Sequence, residues 1–100
     1  MARPAPKGVT MERTIITVTG KDTVGIIAAV CTYLADNQVN ILNISQTIVD
    51  GFFNMVMVVD VSGSAKSHGE LAGGLSEIGE RIGVKILCQK EEIFTKMHRI

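Results

Sequence analysis

The chain has no tryptophan, one tyrosine and three phenylalanines in 100 residues. So few aromatic rings argue against a sheet that stacks nucleic-acid bases. Acidic and basic residues balance at ten each, for a formal net charge of zero. That balance gives no general electrostatic grip on nucleic acid or on an anionic membrane. There are two cysteines, Cys31 and Cys88, and no second cysteine lies near either one. This spacing excludes a zinc knuckle and a CxxC redox pair. Apolar runs are short and interrupted, well under the roughly 20 residues of a membrane helix. No secretory pattern stands out, so the expectation is two reduced thiols in a cytoplasmic protein.

What remains is an ordinary globular balance, 46% hydrophobic and 20% charged, of a size that makes one domain. A chain this short buries only about two-thirds of its unfolded surface, so pairing with a copy of itself would add stability. Residues 1–10 (MARPAPKGVT) show no periodicity. They are expected to form a disordered extension ahead of a domain over 11–100.

Residues 13–19 (RTIITVT) are rich in β-branched side chains and predict a strand. Gly20-Lys21-Asp22-Thr23 is a turn with a helix start built in, Asp22 or Thr23 being the expected cap. Residues 24–37 predict a helix whose stripe is Val24, Ile27, Cys31 and Leu34. Residues 39–49 and 52–61 predict two strands joined by Asp50-Gly51, the favoured pair for a tight type I′ turn. A second helix is expected over 68–82, with Leu71, Leu75, Ile78 and Ile82 on one side and Gly83 closing it. Four glycines inside it each weaken it by up to about 1 kcal/mol relative to alanine, so it must lean on tertiary packing. Residues 84–90 (VKILCQK) predict the last strand, and Ile93, Phe94, Met97 and Ile100 suit a short C-terminal helix.

The order β-α-β-β-α-β predicts an α+β, ferredoxin-like fold: a four-stranded antiparallel sheet with two helices on one face. Right-handed crossovers place the first and third strands in the centre. The face without helices should be polar in a monomer. Yet the second and third strands carry large apolar side chains on both faces, among them Phe52, Val56 and Val58 opposite Phe53, Met55 and Met57. Soluble monomers rarely expose such a patch, so a homodimer is expected.

The run Gly20-Lys21-Asp22-Thr23-Val24-Gly25-Ile26, after a strand and opening a helix, resembles the signature of the ACT domain, as does Val39-Asn40-Ile41. The similarity extends from about residue 11 to 94. The runs 43–47 (NISQT) and 93–100 (IFTKMHRI) resemble the small stand-alone UPF0237-type members. The resemblance implies a non-catalytic regulatory module that binds an amino acid or similar small ligand between two domains, often paired side by side into one eight-stranded sheet. It places the ligand at the first strand–helix loop and the start of the second strand. The implied ligand-binding residues are Asp22, Thr23, Gly25, Ile26, Asn40 and Ile41. With no enzyme attached, the regulated enzyme or transcription regulator is an unknown partner. A purely structural assembly domain is the neighbouring possibility.

Physical chemistry supports the loop independently. Gly20 and Gly25 let backbone approach a ligand closely, and a helix N-terminus offers free N–H groups to a carboxylate. Each of these residues also has a plain structural use: Asp22 as a cap, Gly25 as a packing glycine, Asn40 as a turn former. An acylphosphatase-like enzyme on the same fold needs an arginine in a phosphate-cradling loop. Here Lys21 stands beside Asp22, which repels phosphate, and no Ser-His-Asp or Cys-His grouping is visible. No metal or cofactor is implied.

Overall fold

The computed structural model describes residues 12–21 and 24–91. The N-terminal extension, the expected caps Asp22 and Thr23, and all of the expected C-terminal helix except Glu91 lie outside them. The elements are β1 (Arg13–Lys21), α1 (Ile26–Asp36), β2 (Asn40–Val49), β3 (Phe52–Asp60), α2 (His68–Ile82) and β4 (Val84–Lys90). They build one antiparallel sheet in the order β2-β3-β1-β4, so β1 and β3 are central and the expected ferredoxin-like arrangement holds. Among the described residues, no helix is long and apolar enough to cross a membrane.

Register places the core on one face of the sheet. Ile16 pairs with Met57 and Cys88, and Val18 with Met55 and Ile86. These side chains meet Ile26, Val30 and Leu34 of α1 and Leu71, Leu75 and Ile78 of α2. Asp50 and Gly51 take positive φ of 50° and 79°, as a type I′ hairpin turn requires. Asp60 is a buried carboxylate that ties two segments together. One oxygen accepts from the backbone N–H of Glu12 at 3.2 Å and of Ser62 at 3.0 Å.

Two expectations about the first half need correction. Helix α1 begins at Ile26, and its core stripe is Ile26, Val30 and Leu34. The predicted stripe shares only Leu34 with it: Val24 is 98% exposed, Ile27 is exposed and Cys31 is half-buried. Both stripes fit a 3.6-residue period, and the helix turns Ile26, Val30 and Leu34 to the core. Ala28, Thr32 and Asp36 line the groove beside α2, and Ile26, Val30 and Leu34 face the core. At 100° per residue, Ile27 and Cys31 then lie on the flank away from α2.

The second correction concerns β2, where alternation along the sequence sets Val39, Ile41 and Val49 on one face and Leu42, Ile44 and Ile48 on the other. A bulge between Ile41 and Asn43 breaks the strand's alternation. Ile41, Ile44 and Ile48 therefore all stand opposite core residues of β3 (Val59, Met57 and Phe53) and share the helix-side face. Yet Ile44 and Ile48 are 42% and 58% exposed, because β2 is an edge strand that reaches past the cover of α1. On the opposite, open face, Phe52 and Val56 are exposed as expected, Val58 is half-buried, and Leu87 is exposed beside them.

Helix α2 starts on a capping box. The Ser67 hydroxyl accepts from the Glu70 N–H at 3.2 Å, and the Glu70 carboxylate accepts from the Ser67 N–H at 2.9 Å. Two of its glycines have packing reasons. A methyl group at Gly79 would sit 2.6 Å from the Val84 carbonyl oxygen, and one at Gly74 would collide with the Tyr33 ring. The glycines that weaken the helix thus let it approach β4 and α1 closely.

Candidate functional site

The six residues singled out in sequence divide by where the chain places them. Asp22 and Thr23 lie outside the described residues. Gly25 and Ile26 open α1 at the end of the sheet where β1 finishes. Gly25 is the helix N-cap with φ 90°, a left-handed conformation that suits glycine and no β-branched residue. It has no side chain with which to cap the helix. The first helical bond runs from the Ala29 N–H to the Gly25 carbonyl at 2.9 Å, so the N–H groups of Ile26, Ile27 and Ala28 precede it. Helix α2, with its hydroxyl and carboxylate cap, is closed by comparison. Ile26 itself is buried in the core and contributes backbone rather than side chain.

Asn40 and Ile41 stand at the other end of the sheet. Strands β1 and β2 both run antiparallel to β3, so they run parallel to each other. Asn40 is level with Asp60 and hence with Arg13, whereas β1 ends at Lys21. That is about 26 Å away at roughly 3.3 Å per residue. The two residues also split between faces: Asn40 pairs with Asp60 on the open side, Ile41 with Val59 on the helix side. Within one chain the structure does not bring the two halves of the predicted site together.

Two concave surfaces formed by the described residues lie elsewhere. A cleft of about 540 Å³ sits between the start of β1, the β3–α2 loop and the end of β4. Its polar groups are largely engaged. Arg13 pairs with Glu91 at 3.4 Å, Ser67 caps α2, and the Lys66 ammonium lies 5.3 Å from the centre of the Tyr33 ring. An open groove between α1 and α2 is lined by small residues, including Ala28, Ala29 and Gly73. Of the predicted residues that are described, Gly25, Ile26, Asn40 and Ile41 line neither. Burial pushes the Cys88 thiol up to about 11 and raises that of Cys31. Thiols held protonated are poor nucleophiles. Among the described residues, no three His, Cys, Asp or Glu side chains converge to hold a metal.

Sequence reasoning placed Phe52 on the open face but missed the exposure of Val24 and Ile27 at the α1 end of the sheet. Ile48 stands on the helix-side face of the sheet at that end, and Val49 and Phe52 are exposed at the same end. The signal was present in the second helical stripe, which was assigned to the core.

Comparison with known proteins agrees with this architecture. The ACT domain family pattern matches residues 12–89. A UPF0237 protein of Bifidobacterium longum is 61% identical over 90 residues, covering 90% of this chain and all of that one. The solved ACT domain protein from Streptococcus pneumoniae superimposes with a TM-score of 0.75 at 38% identity, covering 85% of this chain and 96% of that one. The regulatory subunit of aspartate kinase from Thermus thermophilus shares the fold, with a TM-score of 0.61 at 22% identity, over 83% of this chain and 57% of that one. A pattern that spans all six elements but the final residue of β4, together with relatives matched along their full length, makes this chain a member of the ACT domain family, among its UPF0237 proteins.

Proposed function

We propose that this protein is a non-catalytic regulatory module that works as a homodimer and binds a free amino acid, or a small acid like it, where two copies meet. One observation carries the reading: the two halves of the predicted site sit at opposite ends of the sheet, and one of them stands on its edge strand, β2. Pairing β2 with β2 of a second copy in antiparallel fashion brings the α1 start of one chain to the Asn40–Ile41 end of the other. The edge suits such pairing. Asn40–Val49 carries no charged residue and no proline, the usual devices that keep an edge strand from pairing. Ile44 and Ile48 add exposed apolar surface beside it. At the resulting junction, the uncapped first turn of α1 presents N–H donors and a partial positive charge to a carboxylate.

The regulatory reading also draws on a neighbour in the same fold, a regulatory subunit of aspartate kinase. The regulated partner in this reading is an enzyme or a transcription regulator. The test combines mass with binding. Light scattering should report twice the 10.7 kDa of one chain, and Ile44→Lys, which sets like charges near the two-fold axis, should return it to a monomer. The same variant should abolish any thermal shift given by amino acids. Monomeric wild-type protein at every concentration would overturn the proposal.

A further inference from the structure

The geometry points to a second binding site, for a small organic phosphate, in the cleft between the end of the sheet and the start of α2. This site lies within one chain and needs no second copy. Thr14, a hydroxyl-bearing residue only 2% exposed, lines it. Register sets Lys90 directly beside Thr14, two residues from Ile16 and so on the helix-side face. Lys66 and His68 line the cleft from the β3–α2 loop and the first turn of α2, and Arg13 from the start of β1. Cations from three separate segments thus converge on one hollow, in a chain of zero net charge.

The contacts already made there leave the cleft rich in donors. Arg13 meets Glu91 at 3.4 Å through one nitrogen, and both side chains are well exposed. Exposed pairs of this kind hold weakly, and a guanidinium has further N–H groups to offer. The Ser64 and Ser67 hydroxyls accept from the backbone N–H groups of Lys66 and Glu70, so their own O–H groups remain to donate. The Lys66 ammonium rests over the Tyr33 ring and keeps its donors. Three cations line the cleft against two carboxylates, Glu12 and Glu91. A single carboxylate ligand would use few of these donors. A phosphate monoester brings up to about two negative charges and three acceptor oxygens, which suits a guanidinium, two ammonium groups and flanking hydroxyls. The volume of about 540 Å³ lies within the range of small-molecule sites and exceeds what one phosphate fills, so the phosphate carries an organic body.

Calorimetry and amide NMR on the full chain, with AMP, glycerol phosphate, inorganic phosphate and succinate as probes, test the assignment. The two esters should bind about tenfold more tightly than inorganic phosphate or succinate and should shift the amide resonances of residues 62–68. Lys90→Gln should weaken ester binding about tenfold, the scale of one charge-assisted hydrogen bond. Glu12→Gln should strengthen it by roughly two- to fivefold, because a competing charge is gone. Both residues are exposed, so the melting temperature should stay unchanged in each variant. Inorganic phosphate or succinate binding as tightly as the esters would overturn the assignment. So would ester binding that shifts only resonances outside the cleft, or no binding of any probe at millimolar concentration. Each of these results leaves the two-copy site standing.

Discussion

Replacing glycine by alanine at two positions of α2 should give opposite results, and the contrast measures how closely the helix lies on the sheet. In a helix interior the change stabilises by about 1 kcal/mol, because alanine loses less backbone freedom on folding. At Gly73 nothing stands within 4 Å of the added methyl group, so that gain should appear in full. At Gly79 the methyl carbon would lie 2.6 Å from the Val84 carbonyl oxygen and 3.3 Å from Ile86 Cγ1. The first neighbour is backbone of a strand hydrogen-bonded to β1 and cannot turn aside. Overpacking of this kind costs about 1–3 kcal/mol, and a backbone obstacle belongs at the upper end of that range. The net loss at Gly79 is then about 2 kcal/mol. For a domain of this size each kcal/mol moves the melting temperature by about 4–8 °C. Gly73→Ala should therefore melt roughly 4–8 °C above wild type and Gly79→Ala about 8–16 °C below it. Circular dichroism melts at one fixed protein concentration test this, since association changes apparent stability. Equal melting temperatures for the two variants would refute the close approach of α2 to β4.

Two further outcomes follow from ionisable groups. The Ser67 N–H bond, then the Ser67 hydroxyl and Lys66, hold the Glu70 carboxyl below its ordinary value. A depressed folded pKa means a contribution present above the unfolded value near 4.5 and lost as pH falls through the folded one. Urea titrations from pH 7 to pH 3 should show an acid-side loss in wild type that is smaller in Glu70→Gln, and identical slopes would count against it. Because burial pushes Cys88 up to about 11, a thiol-disulfide reagent at pH 8 should label it slowly in the folded chain and rapidly in denaturant. Fast labelling of Cys88 in native Cys31→Ser protein would contradict its burial.

The second half of the fold was open to reading in sequence because its signals do not compete. Ser67 and Glu70 mark the start of α2, Gly83 marks its end, and the hydrophobic stripe between them has no rival. The first half held two stripes at the same helical period. Periodicity identifies a helix, but it cannot say which stripe meets the core when a second face is also apolar. In β2 the bulge near Leu42 moved Ile41 to the face of Ile44, and nothing in the residue types of that segment announces an extra residue. The candidate site was read as two short runs, 20–26 and 39–41, but their separation was not. That distance follows from β1 and β2 being parallel, a property of the whole topology that neither run contains.

The lack of charge and proline along β2 has a consequence beyond pairing in solution. Ten neutral residues with an open row of backbone donors and acceptors form a template that stacks as readily on many copies as on one. A chain whose β2 edge stays uncovered should tend, at high concentration, toward filaments with a 4.7–4.8 Å repeat seeded by residues 40–49. Placing a lysine on that strand should then raise the chain's solubility.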